Sequence, residues 1–167
     1  DFQGSRGLGD VYKRQFFYVK NYYTTHESRI WLRKDKPMTV APSSVPVPDY
    51  YADIPIVREG IARKYSNIEA LDKEVGILLD ALEADGVMEN SVIFFWSDHG
   101  GNLLRQKRAV GDSGLHVPLI IRYPDGYRAG ETESRMVSLM DLGPTVLSLT
   151  GQKLSLIHIS EPTRPLE

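Results

Sequence analysis

The chain has no cysteine among its 167 residues, which excludes disulfides and thiolate-bound metals and removes the residue that would report a redox compartment. No apolar run comes near the ~20 residues that cross a bilayer, so no membrane span is expected. Neither sign of charge dominates. Against 22 Asp and Glu stand 20 Lys and Arg, a net charge of -2, which gives no basic surface to attract nucleic acid. No initiator methionine or secretion signal opens the chain. What is present is ordinary for one soluble globular domain: 41% hydrophobic and 25% charged residues, enough to bury a core, with no internal repeat.

The two ends read differently from the middle. Residues 1–15 carry neither helical nor strand periodicity. The tail 154–167 follows a natural helix stop at Gly151. Both ends resemble peptides translated from sequencing-adaptor DNA, and such scars are set aside in fold reasoning. The expected organisation is a non-native segment 1–15, one partial domain over 16–153, and a non-native tail 154–167.

Within the domain, Phe16-Phe17-Tyr18-Val19 has the composition of a buried strand, running into the polar loop Asn21, Thr24, Thr25, His26, Glu27 and Ser28. Prolines 37, 42, 46, 48 and 55 exclude a regular element over 33–55, which reads as an extended surface excursion. Ile61, Tyr65, Ile68, Leu71 or Asp72, Val75, Leu78, Leu79 and Leu82 then recur at spacings of three and four. That predicts one long amphipathic helix stopped by Asp85-Gly86. Residues 91–96 read as a buried central strand and 117–122 as another. Asp141 is placed to cap a helix holding Pro144 in its first turn and ending near Gly151. Strands and helices in this order predict an α/β fold, a sheet flanked by helices.

In such sheets, ligand sites gather beyond the C-terminal ends of the strands. Two such ends are rich in functional groups: 24–28, and Ser97-Asp98-His99-Gly100-Gly101-Asn102. Asp98 and His99 offer a carboxylate oxygen and an imidazole nitrogen side by side, with two glycines that allow a sharp turn and a close approach to a ligand. Lys107 and Arg108 follow, and both are able to hold an anion. A carboxylate for a metal plus cations for an anion is the equipment of phosphoryl or sulfuryl transfer, where charge on nonbridging oxygens must be balanced. Singly, each piece has a plainer reading. Asp-His-Gly after a strand is a common turn, a lone loop histidine is usually solvated, and Gln106-Lys107-Arg108 is an ordinary charged face. The charged residues of the long helix (Arg58, Arg63, Lys64, Glu69, Asp72, Lys73, Glu74) read as scaffold.

In order along the chain, these segments resemble the sulfatase family of the alkaline-phosphatase-like superfamily. The resemblance rests on the aromatic run leading to Thr25-His26, the helix with Tyr65-Ser66-Asn67-Ile68 and Leu71-Asp72, and Ser97-Asp98-His99-Gly100. It continues through Gly114-Leu115-His116-Val117-Pro118-Leu119-Ile120-Ile121 and Met140-Asp141-Leu142-Gly143-Pro144-Thr145, with Lys107 eleven positions before Pro118. It implies an alkaline-phosphatase-like sheet flanked by helices, of which this chain holds a part. It implies hydrolysis of sulfate esters, small-molecule or glycan, with a divalent cation, usually Ca²⁺. Asp98 and His99 fall at the later pair of metal ligands, Lys107 at the sulfate-binding lysine, and His26 at the histidine near the leaving-group oxygen, a general-acid position. A periplasmic or secreted parent protein follows by the same analogy.

The sequence also departs from the family. The N-terminal aspartate pair that completes the metal site is missing, and so is a formylglycine motif, Cys/Ser-x-Pro-x-Arg, ahead of His26. Ser160-Glu161-Pro162-Thr163-Arg164 spells that motif but follows Lys107 and lies in the adaptor-like tail, so it is rejected as the nucleophile. Gly111 stands where many relatives have tyrosine. The chain as written is therefore expected to be inactive. Two alternatives stay open: a phosphate- or phosphonate-ester hydrolase of the same superfamily, and a non-catalytic α/β binding module.

Overall fold

The structure is a computed structural model and describes residues 16–151. The segments 1–15 and 154–167, with the Ser160-Arg164 motif, lie outside the described residues. The chain divides after Ala129 into two compact units.

The first unit is organised by one helix. A four-residue helix α1 (Arg29–Leu32) precedes α2 (Pro55–Ala84), whose 30 residues span about 45 Å. Pro55 opens α2 at its first position, where the missing N–H is not needed and φ is already helical. Its end is a complete Schellman motif: Gly86 N–H donates to Glu83 O, Val87 N–H donates to Leu82 O, and Gly86 takes φ +68°. The Asp85-Gly86 stop is where the periodicity places it.

The proline-rich stretch corrects one expectation. It is irregular and lies largely at the surface, with a single 3₁₀ turn at Pro42–Ser44, but it also contributes to the core. Val45 is buried with Ile61 and Ala62 of α2, and Met38, Val40, Val47, Tyr51, Val57 and Leu103 pack around them. Ser66 fastens the segment to the helix, its Oγ accepting from both Thr39 N–H and Val40 N–H at 3.1 Å. Arg63, only 6% exposed, donates to Lys34 O and Lys36 O. Arg58 donates to Pro42 O and Val45 O and pairs with Asp53. A prolyl segment lacks ladder donors, so helix side chains supply the hydrogen bonds that a neighbouring strand would give.

The sheet is smaller than expected. Strands β1 (Ile93–Trp96) and β2 (Leu119–Arg122) pair antiparallel, from Ile93 opposite Arg122 to Trp96 opposite Leu119. They are the only strands among the described residues, where regular structure is mostly helical. Residues 16–19 form no strand, and Phe16 and Phe17 are more than half exposed. Their composition favours a strand, but strand propensity is realised through a neighbouring strand, and the one sheet among the described residues holds only β1 and β2. For the same reason β1 is half-buried and not a covered central strand. Between β1 and β2 the chain passes through a long loop and helix α3 (Asp112–Leu115).

In the second unit a 3₁₀ turn, Leu139–Asp141, runs into α4 (Leu142–Leu149). The cap lies one turn earlier than expected. Ser138 Oγ accepts from Met140 N–H, and Asp141 Oδ2 accepts from Ser138 N–H in return, a capping box that begins the turn. Asp141 still precedes α4, but its carboxylate is turned back to Ser138. Gly151, at φ +71°, follows the end of the helix.

Candidate functional site

The site forms where loop 23–28 meets loop 97–108. The first loop is a pair of tight turns, His26 N–H to Tyr23 O at 3.1 Å and Arg29 N–H to His26 O at 2.8 Å. Thr24, buried, ties it to α2 by donating to the Glu74 carboxylate at 2.7 Å. The second loop folds on itself: Lys107 N–H donates to Gly101 O and Gly100 N–H donates to Gly114 O, both at 2.9 Å. Asn102 Nδ2 donates across to Thr25 O at 3.3 Å, joining the two loops. Glu74 and Lys64, read from the sequence as scaffold, both hold this site. Lys64 Nζ lies 3.0 Å from Gln106 Oε1, and burial lowers the lysine's pKa.

The two glycines act differently from the sequence reading. Neither sits at positive φ. A Cβ on Gly100 would stand 2.0 Å from Ser113 O, and one on Gly101 would stand 2.2 Å from Gln106 Oε1 and 2.5 Å from Lys64 Nζ. The close approach they permit is that of the chain to itself. Loop strain falls instead on Arg105 and Arg108, at φ 61° and 68°. That conformation costs a non-glycine residue about 1–2 kcal/mol.

Residues 81 positions apart converge here. His26 Nε2 and Lys107 Nζ are 3.4 Å apart. Lys107 Nζ is also 3.3 Å from Glu27 Oε1, and Arg108 grips the Glu27 carboxylate with both arms, at 2.8 and 2.9 Å. Arg108 and Lys107 hold the Glu27 carboxyl down at about 2, the Arg108 hydrogen bond most of all. Arg108 is therefore engaged with Glu27, against the expectation that it is available for a ligand. Glu27 is the contributor the sequence reading passed over, since a loop glutamate gives no signal of its own until its two cations are seen around it.

His26 has a neighbour at each ring nitrogen. Ser28 N–H donates to His26 Nδ1 at 3.3 Å, with Ser28 Oγ at 2.9 Å from the same nitrogen. Both neighbours only donate: the Ser28 N–H calls for a lone pair on Nδ1, and the Lys107 ammonium, 3.4 Å away, calls for one on Nε2.

Asp98 and His99 show the converse. His99 Nδ1 is 2.7 Å from Gly100 O, which only accepts, so Nδ1 holds the proton and Nε2 the lone pair. That nitrogen lies 3.7 Å from Asp98 Oδ2. Two ligands at right angles on a cation with bonds of about 2.4 Å stand about 3.4 Å apart, so the pair fits two adjacent positions of a divalent cation's shell. Both side chains are open to solvent, at 84% and 37% exposure. Among the described residues no third His, Asp or Glu joins them. The fit is to one edge of a shell.

The sulfatase family profile matches residues 10–152. The chain belongs to the sulfatase family. It is 37% identical over 135 residues to an ulvan-active sulfatase of Formosa agariphila, covering 80% of this chain and 23% of that protein. Human N-sulphoglucosamine sulphohydrolase is 30% identical over 112 residues, 66% of this chain and 22% of its own. An N-acetylglucosamine-6-O-sulfatase of Bacteroides thetaiotaomicron is 36% identical over 90 residues, 52% and 16% respectively. The chain thus spans less than a quarter of the length of these sulfatases. No helix among the described residues is long and apolar enough to cross a membrane.

Proposed function

We propose that this chain carries one side of the active site of a sulfatase that hydrolyses sulfate esters of small molecules or glycans. Lys107 and His26 face the sulfate, and Asp98 and His99 supply two ligands to a divalent cation, calcium by preference because its other ligands would be hard oxygens. The observation that carries this reading is the 3.4 Å approach of His26 Nε2 to Lys107 Nζ. With Nε2 protonated, the two groups would both donate to one anionic oxygen set beside them. In sulfuryl transfer Lys107 would balance charge on a nonbridging oxygen, and the His26 Nε2 proton would pass to the ester oxygen as the alcohol leaves. The Ser28 N–H, donating to Nδ1, favours that proton on Nε2. A bound calcium would add fixed positive charge for the sulfate oxygens.

The attacking group, a formylglycine in the family, has no counterpart ahead of His26 in this sequence. The chain alone should give no turnover of para-nitrophenyl sulfate, with or without calcium, and measurable turnover would contradict this assignment of roles. Binding is the positive test. Inorganic sulfate should shift the His26 ring signals in NMR titrations, and Lys107→Ala should weaken that response tenfold or more. An unchanged titration would remove Lys107 from the site.

A further inference from the structure

A second place in the molecule has the chemistry of an anion site. Between α2 and the segment that follows α1 lies a cavity of about 160 Å³, lined by Arg33, Lys36, Arg63, Asn67, Glu69 and Lys73 among others. Four cations and one carboxylate share its wall. Arg63 is 6% exposed, and its guanidinium, which does not deprotonate, meets only the neutral carbonyls of Lys34 and Lys36. No ion pair among the described residues involves Arg33, Lys36, Arg63 or Lys73. A buried charge without a counter-charge is unfavourable. Asn67, 1% exposed on the same wall, has a buried Nδ2 with no acceptor. Arg63 thus lacks a counter-charge and Asn67 an acceptor, and one bound anion would supply both. A cavity needs only about 10–15 Å³ on this measure to hold one water, so there is room for a tetrahedral oxyanion with water around it.

We propose that this cavity is a second oxyanion site, taking a doubly charged sulfate or phosphate group, separate from the pair His26 and Lys107. Arg63 forms its floor, and Lys36, Lys73 and Arg33 close over the anion from the rim. This proposal goes beyond the sulfatase reading and does not depend on it.

The test is a titration of the ¹⁵N-labelled full chain with inorganic sulfate, followed at the Arg63 Nε–H and the Asn67 side-chain amide. Both signals should move and saturate. The double variant Lys36→Gln, Lys73→Gln changes only exposed rim residues, and it should raise the sulfate Kd tenfold or more while the rest of the spectrum is kept. Lys107→Ala should leave the Arg63 and Asn67 shifts intact, so failure of one site is distinguishable from failure of the other. A polysulfated oligosaccharide that binds more tightly than inorganic sulfate, with the advantage lost in the double variant, assigns the site to a polymer-borne group. Equal affinities assign it to the free ion, and either result upholds the site. Arg63 and Asn67 signals that stay still in excess sulfate, or a double variant that binds as the parent does, would overturn it.

Discussion

Glu27 has three hydrogen-bonding partners on two neighbouring cations, and its effect is a matter of pH. Its folded pKa, about 2, lies below the ordinary value of 4.5. The folded state therefore binds fewer protons than the unfolded one between those values. The stability it contributes is fully present above about pH 4.5 and is lost as the pH falls toward 2. Urea unfolding of the parent and of Glu27→Gln should differ by a constant amount at neutral pH, and the two should converge in acid. A difference that grew on acidification would refute the ion-pair account. Gly100 is a simpler case, since its absent side chain leaves space that the Ser113 carbonyl occupies. Gly100→Ala forces backbone apart and should lower stability by about 1–3 kcal/mol in the same assay, the usual result of overpacking. A loss under 0.5 kcal/mol would show that the loop gives way easily.

At the scale of elements, α2 is the organising piece, and its polar residues do as much as its apolar stripe. Ser66 is buried and accepts from two backbone N–H groups of the proline-rich segment. Ser66→Ala leaves both donors without that acceptor and should cost about 2 kcal/mol, since a buried unsatisfied donor costs about 1–3 kcal/mol. Hydrogen exchange at Thr39 and Val40 should quicken selectively. Uniform quickening along the chain would instead indicate global destabilisation. The length and stop of this helix were readable in the sequence because periodicity and a Schellman glycine are local signals. The role of 33–55 was not, because prolines report only which conformations a segment avoids. What the segment packs against depends on Ser66, Arg63 and Arg58, up to 29 positions away.

For the molecule as a whole, the proposed metal site would be half-built. Asp98 and His99 would provide two donors where calcium takes six to eight. Calorimetric titration of the chain with calcium should give a Kd of about 1 mM or weaker, abolished by Asp98→Ala. Submicromolar binding would mean that further ligands come from elsewhere in the chain. The sequence by itself determined the family, the long helix with its stop, and the two strands that pair. Each of those follows from a local pattern or a spacing along the chain. Tertiary structure alone decided that Glu27 and Arg108 lock the two loops together, that the Gly100 carbonyl sets which nitrogen of His99 holds the proton, and that residues 16–19 form no strand. Those outcomes depend on which groups meet across long stretches of chain, and neither a charge nor a strand propensity specifies its own partner.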